Sequence, residues 1–212
     1  QGAKAMSVLR IEAVDITKKF MRRHVFRNFS FQFHSGTAYA VTGSNGSGKS
    51  TLLQILCGYM LPGSGHVDFY WNDVKADAED QFRYCSIASP FMELIEEFTV
   101  SELLNFQAAV KPFVMKDHAE IIRYFQLEKE KDKQVRYLSS GNKQRLKLAQ
   151  AFCSDTPALI LDEPTQNLDE AGVNLYLDAV DRFTAGKLVI VSSNDPREYR
   201  FCDPVINIED YK

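Results

Sequence analysis

The segment GSNGSGKST at positions 43–51 constrains the fold of this chain more than any other stretch. It lies between the small apolar run TAYAVT and the helix-like run LLQIL, and it matches the pattern G-x-x-x-x-G-K-[ST]. Glycines allow consecutive backbone N–H groups to turn towards one anion, and the helix that follows presents its positive dipole end there. The segment therefore predicts a loop, between a buried strand and a helix, that binds a nucleoside triphosphate.

Every position of this loop is a candidate phosphate ligand. Lys49 brings a positive charge towards the β- and γ-phosphates, the hydroxyl of Ser50 is suited to Mg²⁺, and Thr51 can reach the α-phosphate. A chance match in a Gly/Ser-rich loop is the alternative, and the flanking strand and helix argue against it. The predicted binding residues of the loop are Gly43, Ser44, Asn45, Gly46, Ser47, Gly48, Lys49, Ser50 and Thr51.

Strand-like and helix-like segments alternate along the 212 residues. Phe29, Phe31 and Phe33 alternate with other residues in FRNFSFQF, as in a strand with one buried face. The runs TAYAVT, ALILDE and KLVIVSS are short and largely apolar, as in strands that are buried on both faces. The pattern predicts an α/β fold in which helices cover both faces of a mostly parallel central sheet.

Helix-like patterns dominate the middle of the chain, at about 88–147. Here Ser101 is the expected N-cap of one helix, HAEIIRYFQLEKEKDK is predicted to form a second, amphipathic helix, and SGNKQRLKLAQAFC a third. We interpret this part as a helical subdomain inserted into a single domain that spans 6–212. Residues 1–5, QGAKA, are interpreted as a cloning remnant before a native start at Met6.

Composition argues against several classes of function. The formal net charge is −3 and the sequence has no basic block, so bulk charge gives no support to nucleic-acid binding. The four cysteines are scattered without a C-x-x-C pair, which predicts buried reduced thiols rather than a metal site or a disulfide framework. No apolar run is long enough to span a bilayer and no signal peptide is recognisable, so we expect an intracellular protein.

Two acidic residues, Asp162 and Glu163, end the apolar run ALILDE. Ligands of parallel sheets bind at the carboxyl ends of the strands, so both residues are expected beside the glycine-rich loop. Asp162 can hold Mg²⁺ through water, and Glu163 can orient and polarise the attacking water in phosphoryl transfer. A solvated acidic turn is the alternative for an isolated Asp-Glu pair.

A third segment, LSSGN at 138–142, precedes a long helix, where capping alone would be ordinary. In combination, however, the segments resemble the ATPase subunit of ATP-binding cassette (ABC) transporters over about 8–211. GSNGSGKST matches the Walker A motif of that family, LSSGN resembles its signature motif, and LILDEP matches Walker B. QNLD resembles the D-loop, which ends in Asp169, and Phe20 lies where the family has an aromatic residue that stacks on adenine.

The resemblance implies a P-loop NTPase fold with an N-terminal antiparallel β portion, and hydrolysis of ATP with Mg²⁺ in which Glu163, Lys49 and Asn194 are catalytic. Two subunits, as a homodimer or as a heterodimer with another ABC subunit, would sandwich ATP head to tail. Ser139 and Gly141 of one subunit would then face the nucleotide on the loop of the other. A separate membrane-spanning permease would dock near 88–105, and the chain would lie peripherally at the cytoplasmic face of the membrane.

This sequence departs from the family pattern at three places. A glutamine expected near Ser89 or Pro90 is missing, and Asn194 stands where the family has a histidine that contacts the γ-phosphate. The signature is altered by Ser140 and Asn142. An amide can donate a hydrogen bond to phosphate but carries no charge, so we expect hydrolysis that is real but slow.

Several other functions share parts of these motifs. The departures leave open a regulatory module that binds ATP and hydrolyses little. A DNA-repair or chromosome ATPase would carry a long coiled-coil insertion before the signature motif, a translation-associated protein would carry two cassettes, and a P-loop kinase would lack LSSGN and LDEP. The cargo and the direction of transport stay open.

Overall fold

The computed structural model describes residues 8–21 and 23–212, so the interpretations of residues 1–5 and of Met6 lie outside the described part. The strands in chain order are β1 (Leu9–Phe20), β2 (Arg23–His34), β3 (Ala38–Thr42), β4 (Ser64–Trp71), β5 (Val74–Lys75), β6 (Cys85–Ala88), β7 (Ala158–Asp162), β8 (Leu188–Ser192) and β9 (Val205–Asn207). The α-helices are α1 (Lys49–Leu56), α2 (Val100–Val110), α3 (His118–Tyr124), α4 (Ser140–Cys153), α5 (Glu170–Phe183) and α6 (Pro196–Tyr199).

The first part of the chain forms an antiparallel sheet with the strand order β2-β1-β4-β5. Phe29 and Phe33 are fully buried on one face of β2 and Phe31 is partly buried, as the alternation of the sequence predicts. Strand β1 is 12 residues long, and Phe20 is its last residue.

The second sheet is parallel, with the strand order β6-β7-β8-β3-β9, which confirms the predicted α/β architecture. Successive side chains of a strand point to opposite faces, and two cores result. Ile160 and Ile190 pack with helix α1 and the antiparallel sheet, whereas Leu161 and Val191 pack with helices α4 and α5. Burial on both faces explains why these strands lack polar alternation.

The carboxyl ends of the parallel strands lie at the same edge of the sheet. The last residue of β8, Ser192, is in register with Asp162 of β7 on one side and with Val41 of β3 on the other. The loop after β3 and the acidic pair at the end of β7 are therefore brought to one edge, separated by the end of β8. Parallel α/β sheets bind ligands at this edge.

The helical middle differs from the sequence prediction in two details. Helix α2 is capped by Thr99 and not by Ser101, because the Thr99 hydroxyl accepts the N–H of Glu102 while the Glu102 carboxylate accepts the N–H of Thr99. Helix α3 ends at Tyr124 instead of continuing through the charged run, since Gln126 has a left-handed φ of 58°. Helix α4 forms over the whole predicted segment.

The four cysteines are buried and, within the described residues, unpaired, as expected for reduced thiols. Burial raises the pKa of the Cys85 thiol to about 12, so this sulfur is an inert packing group. In the part of the chain that the structure describes, every helix is too short or too polar to cross a bilayer.

Candidate functional site

The glycine-rich loop at 43–51 follows strand β3 and leads into helix α1. Gly48 has a φ of 110°, and a β-carbon there would collide with the side chain of Val25. Gly43 has a φ of 142°, and a β-carbon there would lie 2.8 Å from both Ser47 Oγ and Ile208 Cγ2. These two positions therefore accept only glycine, and the loop can take its tight course only with glycine there.

Lys49 is the first residue of helix α1 and is only 5% exposed. Its ammonium group donates hydrogen bonds to the carbonyl oxygens of Gly43, at 2.7 Å, and of Ser44, at 3.3 Å. The charge therefore stands over the loop at the positive end of a helix. Both features favour a bound polyanion.

A cavity of about 300 Å³ opens beside the loop. Phe20 is 51% exposed and forms one wall, and Glu163 contributes to the lining from the end of β7. The full lining consists of Phe20, Val25, Asn45, Gly46, Gly48, Lys49, Ser50, Thr51 and Glu163. The structure thus brings together predicted residues from three separate segments of the sequence.

Asp162 and Ser89 meet at the carboxyl ends of the neighbouring strands β7 and β6. Both are buried, and the Ser89 hydroxyl donates a hydrogen bond of 3.0 Å to Asp162 Oδ2. Among the described residues, the other carboxylate oxygen, Oδ1, is buried without a hydrogen-bond partner. A buried carboxylate oxygen without a partner is costly unless a cation or water satisfies it, so the site fits a divalent metal ion. The sequence had identified Ser89 only as a possible position of the missing glutamine.

Glu163 follows Asp162 in a left-handed conformation with a φ of 46°. Its backbone N–H donates to the carbonyl oxygen of Ser192 on the neighbouring strand β8, at 2.9 Å. This bond fixes the turn, and the partly exposed side chain lines the cavity. Non-glycine residues with positive φ persist where the surrounding structure holds them, which is common at functional sites.

Asn194 lies two residues beyond the end of β8 and reaches the loop directly. Its side-chain amide donates a 2.9 Å hydrogen bond to Asn45 Oδ1. Both residues are exposed, so a ligand can reach them. The residue that replaces the expected histidine is thus joined to the glycine-rich loop.

Two acidic residues at this edge were not predicted. The carboxylate of Glu209, just after β9, accepts a hydrogen bond from the Ser44 hydroxyl, which lowers the pKa of Glu209 below its ordinary value. The buried Glu198 of helix α6 accepts from the N–H of Thr165, at 2.8 Å, and so ties α6 to the turn after Glu163. No local sequence signal identifies either residue, because both partners are distant in sequence.

The LSSGN segment lies elsewhere on the surface. Within the described residues, Ser139 and Gly141 do not line the cavity beside the loop. Ser139 is the exposed N-cap of helix α4, and its hydroxyl accepts the N–H of Asn142 at 3.2 Å. Gly141 faces the turn at Asn167, whose carbonyl oxygen would lie 3.1 Å from an added β-carbon.

Asp169 serves as the N-cap of helix α5. Its carboxylate accepts the N–H of Gly172 at 2.9 Å and also pairs with the guanidinium group of Arg145 at 3.1 Å. The hydrogen bond from Gly172, followed by the charge of Arg145, lowers the pKa of Asp169. Asp169 therefore has a structural role within one chain, in addition to any role at an interface.

Comparison with known proteins matches a family model described as ABC transporter to residues 26–166. The chain is 31% identical over 211 residues to "Nod factor export ATP-binding protein I" of Burkholderia lata, which covers 97% of this chain and 69% of that protein. It is 30% identical to "Uncharacterized ABC transporter ATP-binding protein YybJ" of Bacillus subtilis, over 91% of this chain and 89% of the other. The structure "Dimeric Structure of MJ0796, a Bacterial ABC Transporter Cassette" superposes with a TM-score of 0.79 at 23% identity, covering 93% and 94% of the two chains.

Proposed function

Because the chain belongs to the ABC transporter family, we propose that it is a transporter ATPase subunit that closes as a head-to-tail dimer around ATP and drives a separate membrane-spanning permease. The observation that carries this proposal is the convergence of strand ends on one site. The loop follows β3, Glu163 follows β7 and Asn194 follows β8. Phosphoryl transfer requires mainly positioning and charge neutralisation, and this edge supplies groups for both.

ATP would occupy the cavity beside the loop. The ring of Phe20 stands at one wall, where it can stack on adenine. Backbone amides of 43–51 and the ammonium group of Lys49 can bind the phosphates. Asn194 can turn its amide N–H from Asn45 to the γ-phosphate, because both residues are exposed.

Asp162 and Ser50 would hold Mg²⁺, and the Oδ1 atom of Asp162 has no hydrogen-bond partner in the described part of the chain. When bound, the ion neutralises negative charge that develops on the β- and γ-phosphates. Glu163 would accept a proton from the attacking water and orient it, since its carboxylate lines the same cavity. Lys49 and Asn194 would donate to phosphate oxygens, and Asn194 would do so without a positive charge.

A second subunit would complete the site. Ser139 and Gly141 are at the start of helix α4, away from the chain's own cavity, and Ser139 is exposed. A helix N-terminus is suited to a phosphate, and a head-to-tail partner would bring it to the ATP of the first subunit. Dimerisation has been described for a protein with the same fold, MJ0796. ATP would thus stabilise the closed dimer, and hydrolysis would release it.

The permease would dock on a groove beside helix α2. Tyr59, Phe82 and Val110 are 60%, 49% and 53% exposed and line a cavity of about 210 Å³ there. Met92 and Leu94, from the predicted docking stretch 88–105, line the same cavity. Exposed apolar side chains that are gathered in one concave patch favour a protein partner. Such docking would keep the chain at the cytoplasmic face of the membrane.

The experiment that tests this function compares the unsubstituted protein with Glu163→Gln. The unsubstituted protein should release phosphate from ATP, and Glu163→Gln should reduce the rate by about 10²- to 10⁴-fold, the usual contribution of a general base. With ATP, Glu163→Gln should also elute as a dimer in size-exclusion chromatography, because ATP stays uncleaved. If Glu163→Gln elutes as a monomer at saturating ATP, the proposed ATP-dependent dimer is wrong.

The second candidate is a regulatory module that binds ATP and hydrolyses little. The neutral amide of Asn194 favours it, because this residue cannot supply the charge of a histidine. Phosphate release at background level in the unsubstituted protein, and no further decrease in Glu163→Gln, would support the module over the ATPase.

A further inference from the structure

We propose that Ser89 is a positioning residue that fixes the carboxylate of Asp162 for the metal ion. This inference rests on the proposed function, because it concerns the Mg²⁺ that accompanies ATP. It assigns to the Ser89 hydroxyl a role in this chain that does not require contact with metal, water or nucleotide.

The geometry gives the two carboxylate oxygens of Asp162 different tasks. Ser89 Oγ donates to Oδ2 at 3.0 Å, while Oδ1 is left without a partner among the described residues. Ser89 is 0% exposed and Asp162 is 1% exposed, so water does not compete for the bond. One oxygen is therefore held, and the other is left for a cation.

Ser89 is itself held in place from three directions. Its carbonyl oxygen accepts the ammonium group of Lys147 at 3.0 Å and the N–H of Met92 at 3.2 Å. Its hydroxyl oxygen accepts the N–H of Phe91 at 3.4 Å, which directs the hydroxyl proton towards Asp162. Lys147 comes from helix α4 and lines a cavity of about 840 Å³ together with Pro90. The position of Ser89 thus depends on the helix beside it as well as on its own strand end.

Loss of the Ser89 hydroxyl should weaken metal binding, and it should not change the affinity for ATP when metal is absent. Without Ser89 Oγ, Oδ2 would be a second unsatisfied oxygen in a buried carboxylate, which is free to rotate. Outer-shell partners of metal ligands typically contribute 10- to 100-fold to metal affinity. In contrast, the cavity that would hold the adenine ring and the phosphates is lined by residues other than Ser89 and Asp162.

The test measures ATP affinity by calorimetry in excess Mg²⁺ and again in EDTA, for the unsubstituted protein, Ser89→Ala and Ser86→Ala. Ser86 is a matched control, since its buried hydroxyl, on strand β6 just before Ser89, donates to the carbonyl oxygen of Ala158, away from Asp162. The measured quantity is the ATP affinity in Mg²⁺ divided by the ATP affinity in EDTA. We expect this ratio to be about 10-fold smaller in Ser89→Ala than in the unsubstituted protein. Affinity in EDTA should be unchanged, and Ser86→Ala should keep the full ratio.

The effect should also depend on Asp162. In an Asp162→Asn background, Ser89→Ala should add no further loss, because the hydroxyl acts through that carboxylate. Ser89→Cys, which keeps the shape with a weaker donor, should give an intermediate ratio. An unchanged ratio in Ser89→Ala, or an equal loss of affinity with and without metal, would overturn the assignment. Absence of ATP binding by the unsubstituted protein in both conditions would instead overturn the proposed function, and this inference with it.

Discussion

The side-chain amide of Asn194 is hydrogen-bonded to Asn45 across 2.9 Å, although 149 positions separate the two residues in the sequence. The bond joins the segment after β8 to the glycine-rich loop after β3. Asn194 is therefore a neutral donor beside the proposed phosphate site, at the position where the family resemblance implies a histidine. The expectation of slow hydrolysis depends on this replacement.

We predict that Asn194→His raises the rate of ATP hydrolysis by about 10-fold. A protonated imidazole adds a charge-assisted hydrogen bond to the transition state, and such bonds are about twice as strong as neutral ones. Asn194→Ala should lower the rate, because the amide donor is lost. Phosphate release at saturating ATP measures both. Equal rates in all three proteins would show that the residue after β8 does not limit turnover.

Lys49→Ala should weaken ATP binding by about 10- to 100-fold, the effect of one charged hydrogen bond. The ammonium group is buried over the loop, where little water screens it. Lys75→Ala is the matched control, since that lysine pairs with Asp68 on the antiparallel sheet. Calorimetry with Mg-ATP gives both affinities. Similar affinities in the two variants would exclude the loop as the phosphate site.

Thr99→Ala should lower the free energy of unfolding by about 1 kcal/mol, the usual cost of a lost N-cap. Ser101→Ala should lower it by less than Thr99→Ala does, because Ser101 does not cap the helix and its hydroxyl only donates one solvent-exposed hydrogen bond, to the carbonyl oxygen of Lys131. Urea denaturation of the two variants compares these values directly. If Ser101→Ala lowers the free energy of unfolding more than Thr99→Ala does, Ser101 is the N-cap, as the sequence predicts.

Asp169→Asn should destabilise the protein at neutral pH but not in acid. The pKa of this carboxyl is lowered on folding, so its contribution to stability is present above the ordinary Asp pKa of about 3.9 and is lost as the pH falls through the lowered value. The unfolding midpoints of the variant and the unsubstituted protein should therefore converge below about pH 4. Asp181→Asn, on an exposed position of helix α5, is the control and should follow the unsubstituted protein at every pH. A difference that persists in acid would rule out the charge as its cause.

Much of the fold could be predicted because its signals are local. The glycine pattern at 43–51 depends on backbone conformation, and the apolar runs of β7 and β8 reflect burial on both faces. The cap predicted at Ser101 and the predicted length of helix α3 are both wrong, because the sequence carries no strong local signal for either helix end. Thr99 and Ser101 are equally good caps by composition, and the end of α3 is decided by a left-handed residue, Gln126, that carries no strong sequence signal.

The sequence by itself determined the chemistry that is available: a loop that can surround a polyanion, a lysine, two carboxylates and an amide in place of a histidine. Only the tertiary structure decided which of these groups act on one another. Parallel pairing brings the strand ends to one edge, so Ser89 meets Asp162, Asn194 meets Asn45 and Glu209 meets Ser44. Local sequence patterns report backbone preference and burial, whereas contacts between distant segments follow from strand order and register, which no single segment encodes.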